Sequence, residues 1–126
     1  MRPRLARRTA AALACSVILG APNLVQAQPA PSLRAACADL RAGVQSLDLD
    51  PEKLVTIQVV GTLTAVQTDG ALAYLAMCAP PEPQVLCLTY TAGERRIGDR
   101  VVLSGAVTRP GPNHILLDPC LHSPPE

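Results

Sequence analysis

Tryptophan and phenylalanine are absent from this 126-residue chain, and Tyr74 and Tyr90 are its only aromatic side chains. That scarcity leaves few platforms on which nucleobases or sugar rings could stack. A folded core must therefore be assembled from Leu, Val, Ile and Ala. Catalytic signatures are equally thin: there is no Gly-x-Ser-x-Gly elbow, no phosphate-cradling glycine loop and no paired carboxylates. Cysteines occur, but never as Cys-x-x-Cys, the spacing of thiol redox centres and many zinc sites.

What is present begins with an export leader. Arg2, Arg4, Arg7 and Arg8 form a basic start, Ala10 to Gly20 an apolar stretch, and Val25-Gln26-Ala27 a small-residue cleavage pattern. The apolar stretch falls well short of the roughly 20 residues that span a bilayer. Residues 1–27 are thus expected to be a cleaved signal peptide, with residues 28–126 as one domain, not membrane-spanning, that works in the periplasm or outside the cell. A lipid anchor on Cys15 fits less well, since Ala12-Leu13-Ala14 lacks the usual lipobox order.

Removing the leader changes two counts. The eleven Lys and Arg fall by four to seven against ten Asp and Glu, so the net charge moves from +1 to −3. No basic footprint for nucleic acid remains. The five cysteines fall to four, Cys37, Cys78, Cys87 and Cys120, an even set that in a small exported domain implies two disulfides. Three pairings are open. Because Ala79-Pro80-Pro81-Glu82-Pro83-Gln84 reads as a turn between two strands, the favoured pairing is Cys78 with Cys87 across the hairpin and Cys37 with Cys120. A metal set of Cys78, Cys87, Cys120 and His122 is the competing arrangement, but its spacing suits no usual zinc pattern, and neither metal nor cofactor is expected.

Ser32 as cap and Leu33, Cys37, Leu40 and Val44 at helical spacing predict one short helix over about 32–42. Leu54 to Val66 is rich in β-branched residues and reads as a long strand with a bend at Gly61. Thr68-Asp69-Gly70 is a tight turn, after which Ala71 to Ala79 and Val85 to Tyr90 complete a meander. With Cys78 opposite Cys87, Met77 faces Leu88, Ala79 faces Leu86 and Leu75 faces Tyr90, giving one apolar inner face. Tyr74, Ala76 and Thr89 then fall outside. Thr91 to Asp99 is a polar connection, Arg100 to Arg109 a fourth strand, and His114 to Leu121 a fifth after the Pro110-Gly111-Pro112-Asn113 turn.

One helix followed by five strands, with Gly61 in the first, Ile97-Gly98-Asp99-Arg100-Val101-Val102-Leu103-Ser104-Gly105 entering the fourth and Ile115-Leu116-Leu117-Asp118 in the fifth, resembles the OB-fold superfamily. In size and export the chain is similar to small bacterial periplasmic OB-fold proteins, though it lacks their aromatic-Arg-Asp stretch and carries four cysteines. The expected fold is mainly β: a small five-stranded OB-like Greek-key barrel with one N-terminal helix, stapled by two disulfides. The resemblance implies a binding site on the outer face of the second and third expected strands and the adjoining loops. By position, that site comprises Tyr74, Thr89, Arg109, Asn113 and His114, with Asp69 at the turn.

A proton-transfer pair of His114 and Asp118 can be drawn on one strand face, but four residues of extended chain separate them by about 13 Å. The leading functional expectation is an exported, non-catalytic binding or accessory module that contacts a protein, saccharide or small ligand. A small secreted hydrolase or metal-dependent enzyme is the alternative from another class. An oligomeric saccharide-binding barrel is a third, weakened by the missing tryptophan.

Overall fold

Alternating β-branched residues from Thr56 onward build the longest strand of the computed structural model, which describes residues 11–17, 19–20 and 30–125. The basic start of the leader and its cleavage pattern at Val25-Gln26-Ala27 lie outside the described residues. Residues 11–17 carry no helix or strand and are exposed. The elements are β1 (Leu33–Ala36), α1 (Cys37–Gln45), β2 (Thr56–Thr68), β3 (Ala73–Met77), β4 (Gln84–Thr89), β5 (Arg100–Gly111) and β6 (His114–Ser123).

Strands β2 to β6 close on themselves. Their order is β2-β3-β4-β6-β5, and β5 returns to pair with β2. The β4–β6 pairing is parallel, whereas β2–β3, β3–β4, β5–β6 and β2–β5 are antiparallel. This is a five-stranded Greek-key barrel, as the sequence predicts, and closure removes most of the edges that a small open sheet would expose. Long β2 serves two partners in succession: Thr56–Thr62 lies against β5, and Leu63–Thr68 against β3, with a register shift between Leu63 and Ala65.

Strand β1 is an addition to the ring. It runs parallel to β2 and pairs Leu33–Ala36 with Ile57–Val60, where a helical start is predicted from the spacing. The helix therefore begins at Cys37 and runs to Gln45 rather than over 32–42, and it buries Leu40 and Val44. Ala35 turns into the core while Arg34 stays outside and donates to Gln58 Oε1 at 2.9 Å. Two-residue alternation against β2 wins over the weak helical spacing at this point.

The β3–β4 register differs from expectation by an odd offset. Met77 lies opposite Val85, Leu75 opposite Cys87 and Ala73 opposite Thr89. Ala73, Leu75 and Met77 do face inward, but their partners inside the barrel are Val85, Cys87 and the buried hydroxyl residue Thr89. Leu86 and Leu88 are half-buried on the outer face, and Tyr90, beyond the end of β4, is 85% exposed. An odd slip exchanges the two faces of a strand. Thr89 is consequently a core residue, not a member of an outer ligand face.

Two bridges form, Cys37–Cys78 and Cys87–Cys120, in place of the expected Cys78–Cys87 and Cys37–Cys120. Strand geometry accounts for the first. β1 and β3 lie along the same edge of β2 and run toward each other, Ala36 ending beside Val60 and Met77 beside Leu63. The next residue of each chain is a cysteine, and the two meet over Gly61. A Cβ on Gly61 would sit 2.9 Å from Met77 Sδ and 3.1 Å from Cys37 Sγ, so the glycine serves close approach. The second bridge lies within the barrel. Cys87 pairs in register with Leu117, and Cys120 reaches the interior after the register shift that separates Leu117 from Cys120 on β6. Gly105 opposes Cys120, and any Cβ there would meet the carbonyl of Pro119. Cys15 is unpaired and exposed.

Candidate functional site

Residues that the sequence groups into one face are distributed over four places. Thr89 is inside the barrel. Tyr74 is on the outer face, opposite Leu88, where half-buried Leu86 and Leu116 and buried Ala76 continue an apolar strip. Its hydroxyl donates to Asp69 Oδ2 at 2.9 Å. Asp69 also accepts from the backbone N–H groups of Leu72 (2.8 Å) and Ala71 (3.0 Å), which makes it the organiser of the β2–β3 turn. Those backbone donors, Leu72 before Ala71, and then the Tyr74 hydroxyl hold its carboxyl below the ordinary 3.8. The same hydrogen bond, followed by the carboxylate charge, pushes the Tyr74 phenol upward. Tyr74 is thus engaged locally.

Asn113 and His114 come together beside the proline loop. They share a cavity of about 590 Å³ with Thr64, Cys78, Pro80 and Glu82. Arg41 of α1 organises this end: its guanidinium donates to Pro81 O at 2.9 Å, Asn113 Oδ1 at 3.0 Å and Pro112 O at 3.1 Å. Three acceptors from two loops suit the fixed fork of donors on a guanidinium. Asn113 is therefore a structural partner of Arg41, while His114 remains exposed. Sequence reasoning missed Arg41. Its position one turn after Cys37 on the helix was the available signal.

Arg109 belongs elsewhere, to a cleft of about 790 Å³ where the α1–β2 link passes the end of β5. Leu47, Leu49, Val55 and Val107 supply apolar lining, and the first three pack against the core from its edge. Charge is concentrated around that lining, with Asp50, Glu52 and Asp118 against Lys53 and Arg109. Leu54, also in the cleft, is largely exposed. The link holds its shape through an aspartate turn, in which Asp50 Oδ1 accepts from Glu52 N–H at 3.0 Å. No periodicity marks this segment, which is why the cleft was not legible as a site.

The drawn catalytic groups are separated. His114 lines the proline-loop cavity and Asp118 the cleft. His122 is fully engaged: Arg95 Nε donates to its Nδ1 at 3.0 Å, so Nε2 carries the proton and donates to Thr91 O at 2.8 Å. The imidazole pins the β4–β5 connection to β6. Among the described residues, no three His, Cys, Asp or Glu side chains are grouped to hold a metal ion.

The closed five-stranded barrel, with its parallel β4–β6 pairing and its β2–β5 closure, defines an OB-like fold. No family model matches the chain, and no curated protein matches it. Among solved structures it is similar to a chain of the Stn1-Ten1 complex of S. pombe, at 12% identity and a TM-score of 0.39, over 54% of this chain and 57% of that one. The assignment of fold rests on strand order and closure. Two disulfides fit an oxidising compartment, and no helix among the described residues is long and apolar enough to cross a membrane.

Proposed function

We propose that this chain is an exported, non-catalytic binding module, of the same broad kind as the small bacterial periplasmic OB-fold proteins, and that it holds a protein partner in the cleft between the α1–β2 link and β5. The cleft is the observation that carries this reading. Its volume, about 790 Å³, is within the usual range of binding sites, and its apolar lining sits under a charged rim. Three carboxylates, Asp50, Glu52 and Asp118, outnumber the two cations Lys53 and Arg109 around it. That balance suits an apolar anchor side chain flanked by basic residues on the partner. The engagement of both His122 nitrogens and the separation of His114 from Asp118 supply no working acid–base pair for the hydrolase alternative.

A photo-crosslinking residue placed at Leu54 in the exported protein, followed by identification and purification of the adduct partner, tests this reading. Reconstituted binding is expected to weaken at least tenfold with Leu49→Asp and with Asp118→Lys, while Tyr74→Ala leaves it unchanged. Binding that survives both cleft substitutions, or turnover of a substrate that depends on His114, would overturn the reading.

A further inference from the structure

The two disulfides differ in what surrounds them, and one is placed to react. Cys87 and Cys120 are 0% and 3% exposed, enclosed by the barrel. Cys37 is half-buried at the first position of α1, and Cys78, 6% exposed, follows β3 in a loop. Two hollows reach the Cys37–Cys78 bridge. One, of about 390 Å³, is lined by Cys37, Gly61, Thr62, Cys78 and Arg100. The other is the proline-loop cavity, of about 590 Å³, which also has Cys78 in its wall. Cys78 has a φ of 69°, a left-handed conformation that non-glycine residues adopt at a cost and that the bridge helps to hold.

We propose that Cys37–Cys78 is a thiol-exchange site, opened by a dithiol reductant while Cys87–Cys120 stays closed. A thiolate of the reductant attacks Cys78 Sγ, forming a mixed disulfide and breaking the bond to Cys37, which leaves as a thiolate. The reductant's second thiol then closes onto its own mixed-disulfide sulfur and releases Cys78. Two electrons and two protons pass to the bridge, and the dithiol becomes a disulfide. Cys37 is the better leaving group because it opens the helix, where the backbone N–H groups favour negative charge, and the Arg100 cation lines the same hollow. Opening frees the end of β1 and the start of α1 from β3. The Arg41 hydrogen bonds to Pro81, Pro112 and Asn113 remain, so the helix stays on the barrel.

The test uses the folded, oxidised protein with Cys15 first blocked by alkylation. Graded dithiothreitol, quenching with a second, isotopically distinct alkylating agent and peptide mass mapping give the opening rate of each bridge. Cys37 and Cys78 are expected to label at least tenfold faster than Cys87 and Cys120, with the β-sheet circular-dichroism signal intact. Arg100→Glu is expected to slow that opening at least threefold. Equal rates for the two bridges, faster opening of Cys87–Cys120, or opening of Cys37–Cys78 only together with loss of the sheet signal would overturn the proposal. An unchanged rate in Arg100→Glu would also overturn the entrance assigned beside that residue.

Discussion

The barrel interior around Cys87–Cys120 and the appended arm around Cys37–Cys78 use the same covalent device for different purposes. Inside, where there is no Phe or Trp to fill space, the disulfide is itself core material, packed among Leu75, Leu117 and Val85. At the arm, it ties a short parallel strand and a nine-residue helix to a barrel that is already closed. Loop length does not distinguish them. Sequence separations of 33 and 41 both correspond to about 4 kcal/mol in the chain-entropy account. Their surroundings do distinguish them: Cys37 is half-buried and hollows border its bridge to Cys78, whereas Cys87 and Cys120 are enclosed, so one bridge is framework and the other is a latch.

The largest effect expected from this contrast is on folding. Replacing Cys87 and Cys120 by alanine removes both the cross-link and buried core volume, so a loss of about 5 kcal/mol or more is expected, enough to unfold a small domain. The same change at Cys37 and Cys78 is expected to cost about 4 kcal/mol, the cross-link alone, and leave a folded barrel. Urea denaturation of both double variants measures the gap, and equal losses would break the comparison. The two close-approach glycines sharpen it. At Gly105 a Cβ meets the backbone carbonyl of Pro119, which cannot step aside, so Gly105→Ala is expected to cost about 3 kcal/mol. Gly61→Ala meets the flexible Met77 thioether and the Cys37 sulfur, so about 1 kcal/mol is expected by the same measurement.

Smaller effects lie outside both bridges. Arg41→Ala removes three hydrogen bonds on the surface and is expected to cost about 1 kcal/mol in thermal unfolding. That cost should grow when Cys37–Cys78 is absent, because helix and loops then lose both ties. Asp69 supplies the pH dependence. Its folded carboxyl titrates below 3.8, so in that window the unfolded chain binds more protons. Its contribution is complete above about 3.8 and is lost as the pH falls through the lower, folded value. The difference in melting temperature between the native chain and Asp69→Ala, present at pH 7, is therefore expected to close in strong acid.

Much of the barrel is legible in the residues, and each failure has its own physical origin. The β-branched run in β2, the Asp69 turn, the two later strands and the single helix all carry local signals that survive folding. Strand β4 does not. Val85-Leu86-Cys87-Leu88-Thr89 is apolar at almost every position, so alternation gives no preference between its faces. Hydrophobicity favours the leucines for the interior, yet the barrel takes Val85, Cys87 and Thr89 and leaves Leu86 and Leu88 half-buried outside. That one choice of face carried the cysteine pairing and the placement of Thr89 with it. Leu33–Ala36 was obscured differently, because four residues fit both a helix start and an edge strand until β2 is present to pair with them. The candidate cleft had no sequence signal at all, since its walls come from an irregular link and the far end of β5.

Disulfide mapping under non-reducing conditions tests the central claim most directly. Trypsin alone keeps Cys78 and Cys87 on one peptide, Leu54–Arg95, so a second cleavage before Val85 or Leu86 by thermolysin is required. The account predicts one linked pair carrying Cys37 and Cys78 and another carrying Cys87 and Cys120. A Cys78–Cys87 link together with a Cys37–Cys120 link would contradict the strand register, the inward face of β4 and the distinction between framework and latch.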